Sequence, residues 1–139
     1  MAKLVRFGIS MESELLKKFD HLIAQKGYVN RSEAIRDLVR DLLVQQEWQN
    51  DAGEKVGTIT LIYDHHVHEL TEKLTAMQHD SQATVISTMH VHLDHHNCLE
   101  VLVLKGNGSD IQKISDEMIG VKGVKHGKLV MTTSGAEFH

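Results

Sequence analysis

Two histidines and the only cysteine of the chain stand together in Met89-His90-Val91-His92-Leu93-Asp94-His95-His96-Asn97-Cys98. The spacing is His-x-His, then five residues, then Cys. On a β-strand, residues two apart leave the same face, so both imidazoles project together. A turn over Asp94–Asn97 would return the chain and bring Cys98 beside them. Two imidazoles and one thiolate make a partial site for a borderline-soft divalent metal. His79, upstream, is a candidate fourth ligand. A site of this kind serves either metal sensing or metal catalysis. His65, His66, His68, His95 and His96 read first as solvated surface residues, with weak metal capture as the alternative.

The elements that must position these residues fit into 139 residues, enough for one domain or two small ones. Apolar residues make up 41% and aromatics 4%, so any core is built from Leu, Ile, Val and Met. Proline is absent, and no apolar run reaches the length of about 18 residues that suggests a membrane helix. The N-terminus lacks the pattern of a secretory signal, and a single cysteine rules out an intrachain disulfide. The expected compartment is the reducing cytoplasm, with no membrane partner. Residues 1–47 carry eight Lys/Arg against seven Asp/Glu, whereas residues 48–139 carry seven against twelve and ten of the eleven histidines. Bulk charge cannot drive nucleic-acid binding here. DNA contact must come from a few placed side chains in the first half.

In that half, Val5, Phe7 and Ile9 alternate with Arg6, Gly8 and Ser10, which predicts a short strand. Apolar positions 15, 16, 19, 22 and 23 predict an amphipathic helix ended by Gly27. Asn30-Arg31-Ser32-Glu33 reads as a capping box opening a second helix with an apolar stripe from Ala34 to Leu43. A strand and two helices are too small to fold alone, and a lone strand leaves its backbone unpaired. Two copies pairing their strands antiparallel resolve both problems. A two-stranded ribbon also fits the DNA major groove. Arg6 would reach base edges, Gly8 and Ser10 would permit close approach, and the helix start at Asn30, Arg31 and Ser32 would offer N–H groups to a phosphate. This segment resembles the ribbon-helix-helix module of the MetJ and Arc repressors. A plain dimerisation unit is the alternative.

Residues 48–55 are polar and read as a linker. Beyond them the pattern predicts a strand over 56–63, a helix capped by Asp64 and running to about His79, and a long strand over 83–93. A hairpin partner over 98–104, a helix capped by Ser109 or Asp110, and a last strand over 124–133 follow. The order β-α-β-β-α-β is the ferredoxin-like arrangement, and it resembles an ACT-type domain. On the long strand, simple alternation puts Val85, Ser87, Met89, Val91 and Leu93 on one face. Ile86, Thr88, His90 and His92 then lie on the other, mostly non-core face. The fold class is therefore α+β, with a DNA-binding unit over 1–47, a linker over 48–55 and an ACT-like unit over 56–139.

The combination of Asn30-Arg31-Ser32-Glu33-Ala34-Ile35-Arg36-Asp37, His79, His90-Val91-His92 and Cys98-Leu99-Glu100 resembles the NikR family of nickel-responsive repressors over nearly the whole chain. The resemblance implies a homotetramer, a dimer of dimers, with ACT-like units at its centre and two DNA-binding pairs outside. It implies one Ni(2+) per subunit, held by His90, His92 and Cys98 of one chain and His79 of a neighbour. It also implies repression of nickel uptake through a split palindromic operator in double-stranded DNA, Arg36 as a phosphate contact, and a second cation such as K(+) at Glu33 and Asp37. Gly8 stands where a relative's side chain would read a base, so the operator is expected to differ.

Competing readings are a metal-dependent hydrolase, an amino-acid-responsive ACT regulator, and a ribbon-helix-helix antitoxin. Against the hydrolase, no carboxylate is evidently placed as a base. Glu100, the nearest, reads as facing solvent or supporting a neighbour. The histidine and cysteine pattern argues against a pure amino-acid sensor. A folded β-rich second half argues against an antitoxin tail. No enzymatic activity is expected.

Overall fold

The computed structural model describes residues 3–49 and 53–136. It forms two compact units, one ending at Leu43 and one covering Val44–Ala136. The first contains α1 (Ser13–Gln25) and the start of α2 (Arg31–Gln49). The end of α1 follows its sequence: Lys26 N–H donates to Leu22 O, Tyr28 N–H donates to Ile23 O, and Gly27 takes φ +85°. That left-handed conformation costs least at glycine. The start of α2 is capped as expected, with Asn30 Oδ1 accepting from Glu33 N–H at 2.9 Å.

The strand expected over Leu4–Ser10 takes no part in the sheet of the described residues. Leu4, Val5, Phe7 and Ile9 are 57–89% exposed. The reason is physical. A strand exists through its partner, and a single chain offers this arm none.

The second unit contains β1 (Lys55–Asp64), α3 (Leu70–Asp80), β2 (Thr84–His92), β3 (Asn97–Gly106), α4 (Gly108–Ile119) and β4 (Val124–Thr132). The strands form one antiparallel sheet in the order β2-β3-β1-β4. Burial alternates along β1 and β3, as expected for a sheet covered on one face. The covered face carries Ile59, Leu61, Leu102 and Leu104, packed with Leu74, Ile111 and Met118. Gly127 on β4 is required by this packing, because a Cβ there would stand 2.5 Å from Ile119 Cγ1 and 3.0 Å from Leu61 Cδ2.

Four details differ from the sequence pattern. The stretch read as a linker begins inside α2, and Trp48 is buried in the core of the second unit, its indole N–H donating to Thr132 O at 2.9 Å. Residues 50–52 of that stretch lie outside the described residues. Asp64 does not cap α3. It is still paired with Asn97 in the sheet, its carboxylate closes a turn onto His66 N–H, and α3 starts at Leu70. Asn107, rather than Ser109 or Asp110, caps α4, and it accepts from Ser109 N–H. The fourth difference concerns β2. A bulge between Val85 and Ser87 inserts one residue into the alternation. Val85 therefore shares a face with Thr88, His90 and His92, and that face is the covered one, bearing Leu102 and Leu104. A one-residue shift sends every later side chain to the opposite face.

Candidate metal centre

The β2–β3 register places His92 opposite Cys98 and His90 opposite Glu100. The β1–β3 register places Tyr63 opposite Cys98. Two rows therefore cross the sheet side by side: Tyr63–Cys98–His92 and Leu61–Glu100–His90. Cys98, Tyr63 and Glu100 are buried, while the His90 side chain on the edge strand is 47% exposed. The trio thus combines a sheltered thiol with two accessible imidazoles.

Glu100 organises the second row. Its Oε1 accepts from Tyr63 O–H at 3.0 Å and lies 3.1 Å from His90 Nε2, and its Oε2 accepts from Gln78 Nε2 at 3.2 Å. Burial, followed by the negative charge of Glu100, raises the Tyr63 hydroxyl far above its ordinary value, so it stays a donor. His90 Nδ1 is 3.5 Å from the same hydroxyl, whose one proton already points to Glu100. The tautomer that points Nε2–H at Glu100 leaves the ring's lone pair on Nδ1. A metal taking His90 must use that lone pair or displace Glu100. Ligating histidines ordinarily keep their second nitrogen on such an acceptor. Glu100 is therefore placed to orient the His90 ring. Tyr63 and Gln78 complete its network and carry no motif of their own. The legible signal was the alternation of Cys98, Glu100, Leu102 and Leu104 along one face.

His79 is exposed in the last turn of α3. Among the described residues, the donor group whose ligand atoms all lie within 4.8 Å of one another is Asp64, His66 and His96. The chain by itself therefore does not gather the four expected ligands. His65, His66, His95 and His96 cluster where β1 and the β2–β3 turn meet. The His65 ring lies 4.1 Å from that of His66 and 5.1 Å from that of His92, and His95 lies 4.9 Å from His96. His68 stands outside the cluster, 3.3 Å from Glu69.

In the first unit Arg6, Gly8 and Ser10 are exposed on the unpaired arm. Arg6, Arg31, Ser32 and Arg36 line one groove together with apolar arm residues. Arg31 holds Asp20 through two hydrogen bonds of 2.8 and 2.7 Å, and Arg36 Nε donates to Ser32 O at 3.3 Å. The acidic pair Glu33 and Asp37 is already partly engaged. Asp37 Oδ2 accepts from Tyr28 O–H at 2.7 Å and Oδ1 from Arg40 at 3.1 Å. The Tyr28 hydrogen bond leads in holding the Asp37 carboxyl below its ordinary value.

Residues 56–132 match the family described as the NikR C terminal nickel binding domain, and residues 5–46 match the ribbon-helix-helix protein, copG family. The chain belongs to the NikR family. Relatives from Geobacter sulfurreducens and Geobacter metallireducens, each named "Putative nickel-responsive regulator", are 60% and 59% identical over the full length of both chains. A relative of the same name from Caldanaerobacter subterraneus is 58% identical over 95% of this chain and 86% of its own. The ACT domain from GTP pyrophosphokinase of Chlorobium tepidum matches in structure over 56% of this chain and all of its own, at TM-score 0.50 and 13% identity. That likeness bears on fold alone and agrees with the ACT-type reading of the second unit. As a NikR-family member the chain is a nickel-responsive regulator with a ribbon-helix-helix DNA-binding unit and a nickel-binding domain, not an enzyme. Imidazole, the side chain of His90 and His92, is a donor that suits nickel. No helix among the described residues is long and apolar enough to cross a membrane.

Proposed function

We propose that the chain is a cytoplasmic repressor of nickel-uptake genes. It would act as a homotetramer, a dimer of dimers, that grips a split palindromic operator when loaded with one Ni(2+) per subunit. The observation that carries this reading is the register. It sets His90 and His92 on one face beside buried Cys98, with Glu100 behind His90, while His79 is exposed elsewhere in the same chain. A neighbouring subunit then supplies His79, and the metal site exists only in the assembly. The sheet face away from the helices supports this. Its Met89 and Val130 are 56% and 51% exposed, and they await cover.

His90, His92, Cys98 and the neighbour's equivalent of His79 would hold nickel. These donors suit Ni(2+) in a planar arrangement and Zn(2+) in a tetrahedral one, so the interface sets the selectivity. A shared site ties the metal to quaternary arrangement, and so to the spacing of the two DNA-binding pairs. By linkage, operator DNA must tighten nickel by the same factor. In each pair the arms would align as a ribbon, with Arg6 reading bases and Gly8 and Ser10 allowing approach. The start of α2 at Asn30, Arg31 and Ser32, with Arg36, would hold phosphate. A cation such as K(+) would join at Glu33 and Asp37 only if Asp37 released Arg40.

The test is selection from a randomised DNA pool with no metal, with Ni(2+) and with Zn(2+). Enrichment of one split palindrome with nickel is the expected result. Enrichment that ignores metal, or none at all, would overturn the reading.

A further inference from the structure

Four histidines outside the proposed nickel site, His65, His66, His95 and His96, gather at one end of the sheet. Asp64 and Asn97 are paired there, at the end of β1 and the start of β3. Two side-chain-closed turns meet at this point. Asp64 Oδ1 accepts from His66 N–H at 2.9 Å, and Asp94 Oδ1 accepts from His96 N–H at 2.9 Å and from Asn97 N–H at 2.8 Å. The turns are joined by His65 N–H donating to His96 O at 3.3 Å. Backbone geometry thus brings His66 and His96 together on Asp64, although the two histidines are thirty positions apart in sequence.

Their donor atoms are already close. His66 Nδ1 is 3.4 Å from Asp64 Oδ1, and one donor atom from each of Asp64, His66 and His96 lies within 4.8 Å of the others. Metal bonds of about 2.0–2.2 Å set neighbouring donors roughly 3–3.5 Å apart, so small side-chain rotations close this trio on one ion. The surroundings favour it. The Asp64 carboxylate sits between the two rings, with its Oδ1 already anchored by the His66 N–H. His65 packs on His66, and its Nδ1 is enclosed without a hydrogen-bond partner. Lys125, the nearby ammonium, is held by Asn97 Oδ1 at 2.6 Å.

We propose that Asp64, His66 and His96 form a second divalent-metal site, distinct from the thiolate site. It takes first-row ions that favour nitrogen and oxygen, such as Ni(2+) or Cu(2+), with water in the open positions. Lacking sulfur, and with the His66 side chain 51% exposed, it binds more weakly than a site containing Cys98. It does not depend on the repressor reading.

The experiment titrates the full-length protein with Ni(2+), counting equivalents by equilibrium dialysis and following the sulfur-to-nickel absorption band. Wild type should bind a second equivalent per chain that adds nothing to the band. The double variant His66→Gln/His96→Gln should lose that equivalent and keep the band. Cys98→Ala should lose the band and keep the equivalent, which separates this site from the first. Retention of the second equivalent in the double variant, or its absence from wild type, would overturn the proposal.

Discussion

In the first unit Ile23 and Ala34 are the buried apolar residues among those described, while Leu4, Val5, Phe7, Leu38, Leu42 and Leu43 are each about half to nearly fully exposed. The second unit buries more than a dozen residues in one cluster under two helices. The difference is one of completeness. The ACT-like unit closes its core within one chain, because α3 and α4 return over the sheet that the intervening strands build. The DNA-binding unit leaves its apolar stripe exposed and its arm outside the sheet; in the proposed dimer a second copy covers both. The same contrast runs through the chemistry. The second unit holds three of the four proposed nickel ligands in register, whereas in the proposed repressor the first completes its DNA-reading surface only when two arms pair.

The sharpest way to break this contrast is to spoil the arm. Phe7→Asp puts a charge where apolar cover is expected. Each buried side chain of this size contributes about 1.5–3 kcal/mol, and a pair of arms counts it twice. Operator binding should vanish in mobility-shift assays while the nickel–thiolate band stays. A variant that still binds DNA would show that the arm does not pair through this face. Cys98→Ala makes the reverse cut: the band and the nickel dependence of DNA binding should go, with the sedimenting mass unchanged. Glu100→Gln is gentler. It removes the charge behind His90 and should weaken nickel binding about 10–100-fold, read by competition with a chelator. Arg6→Ala should weaken specific DNA binding by about 1–3 kcal/mol without altering nickel stoichiometry, and a change in stoichiometry would mean the units do not divide the work. The smallest effect concerns Asp20. Its carboxyl lies below the ordinary range, chiefly through the hydrogen bond from Arg31. A lowered folded value stabilises above the unfolded carboxylate range of about 3.9 and is lost as pH falls through it. Asp20→Asn should flatten the acid limb of a Tm–pH curve slightly, since the pair is exposed.

Sequence alone determined a good deal. Gly27 and Asn30 mark the junction of α1 and α2, because a left-handed residue and a side-chain cap are local demands. The β-α-β-β-α-β order follows from periodicity, and the His-x-His spacing with one cysteine named the metal chemistry. All of these are short-range properties of the chain. Other features belong to tertiary structure. The bulge after Val85 decides which face His90 and His92 occupy, and alternation without it points the wrong way. Only strand pairing puts Glu100 behind His90, across the β2–β3 hairpin, and Tyr63 beside Cys98, across β1 and β3. Only the meeting of two turns draws His66 and His96 onto Asp64. Local pattern reports what each residue prefers. Register, set by the whole sheet, decides which residues it meets.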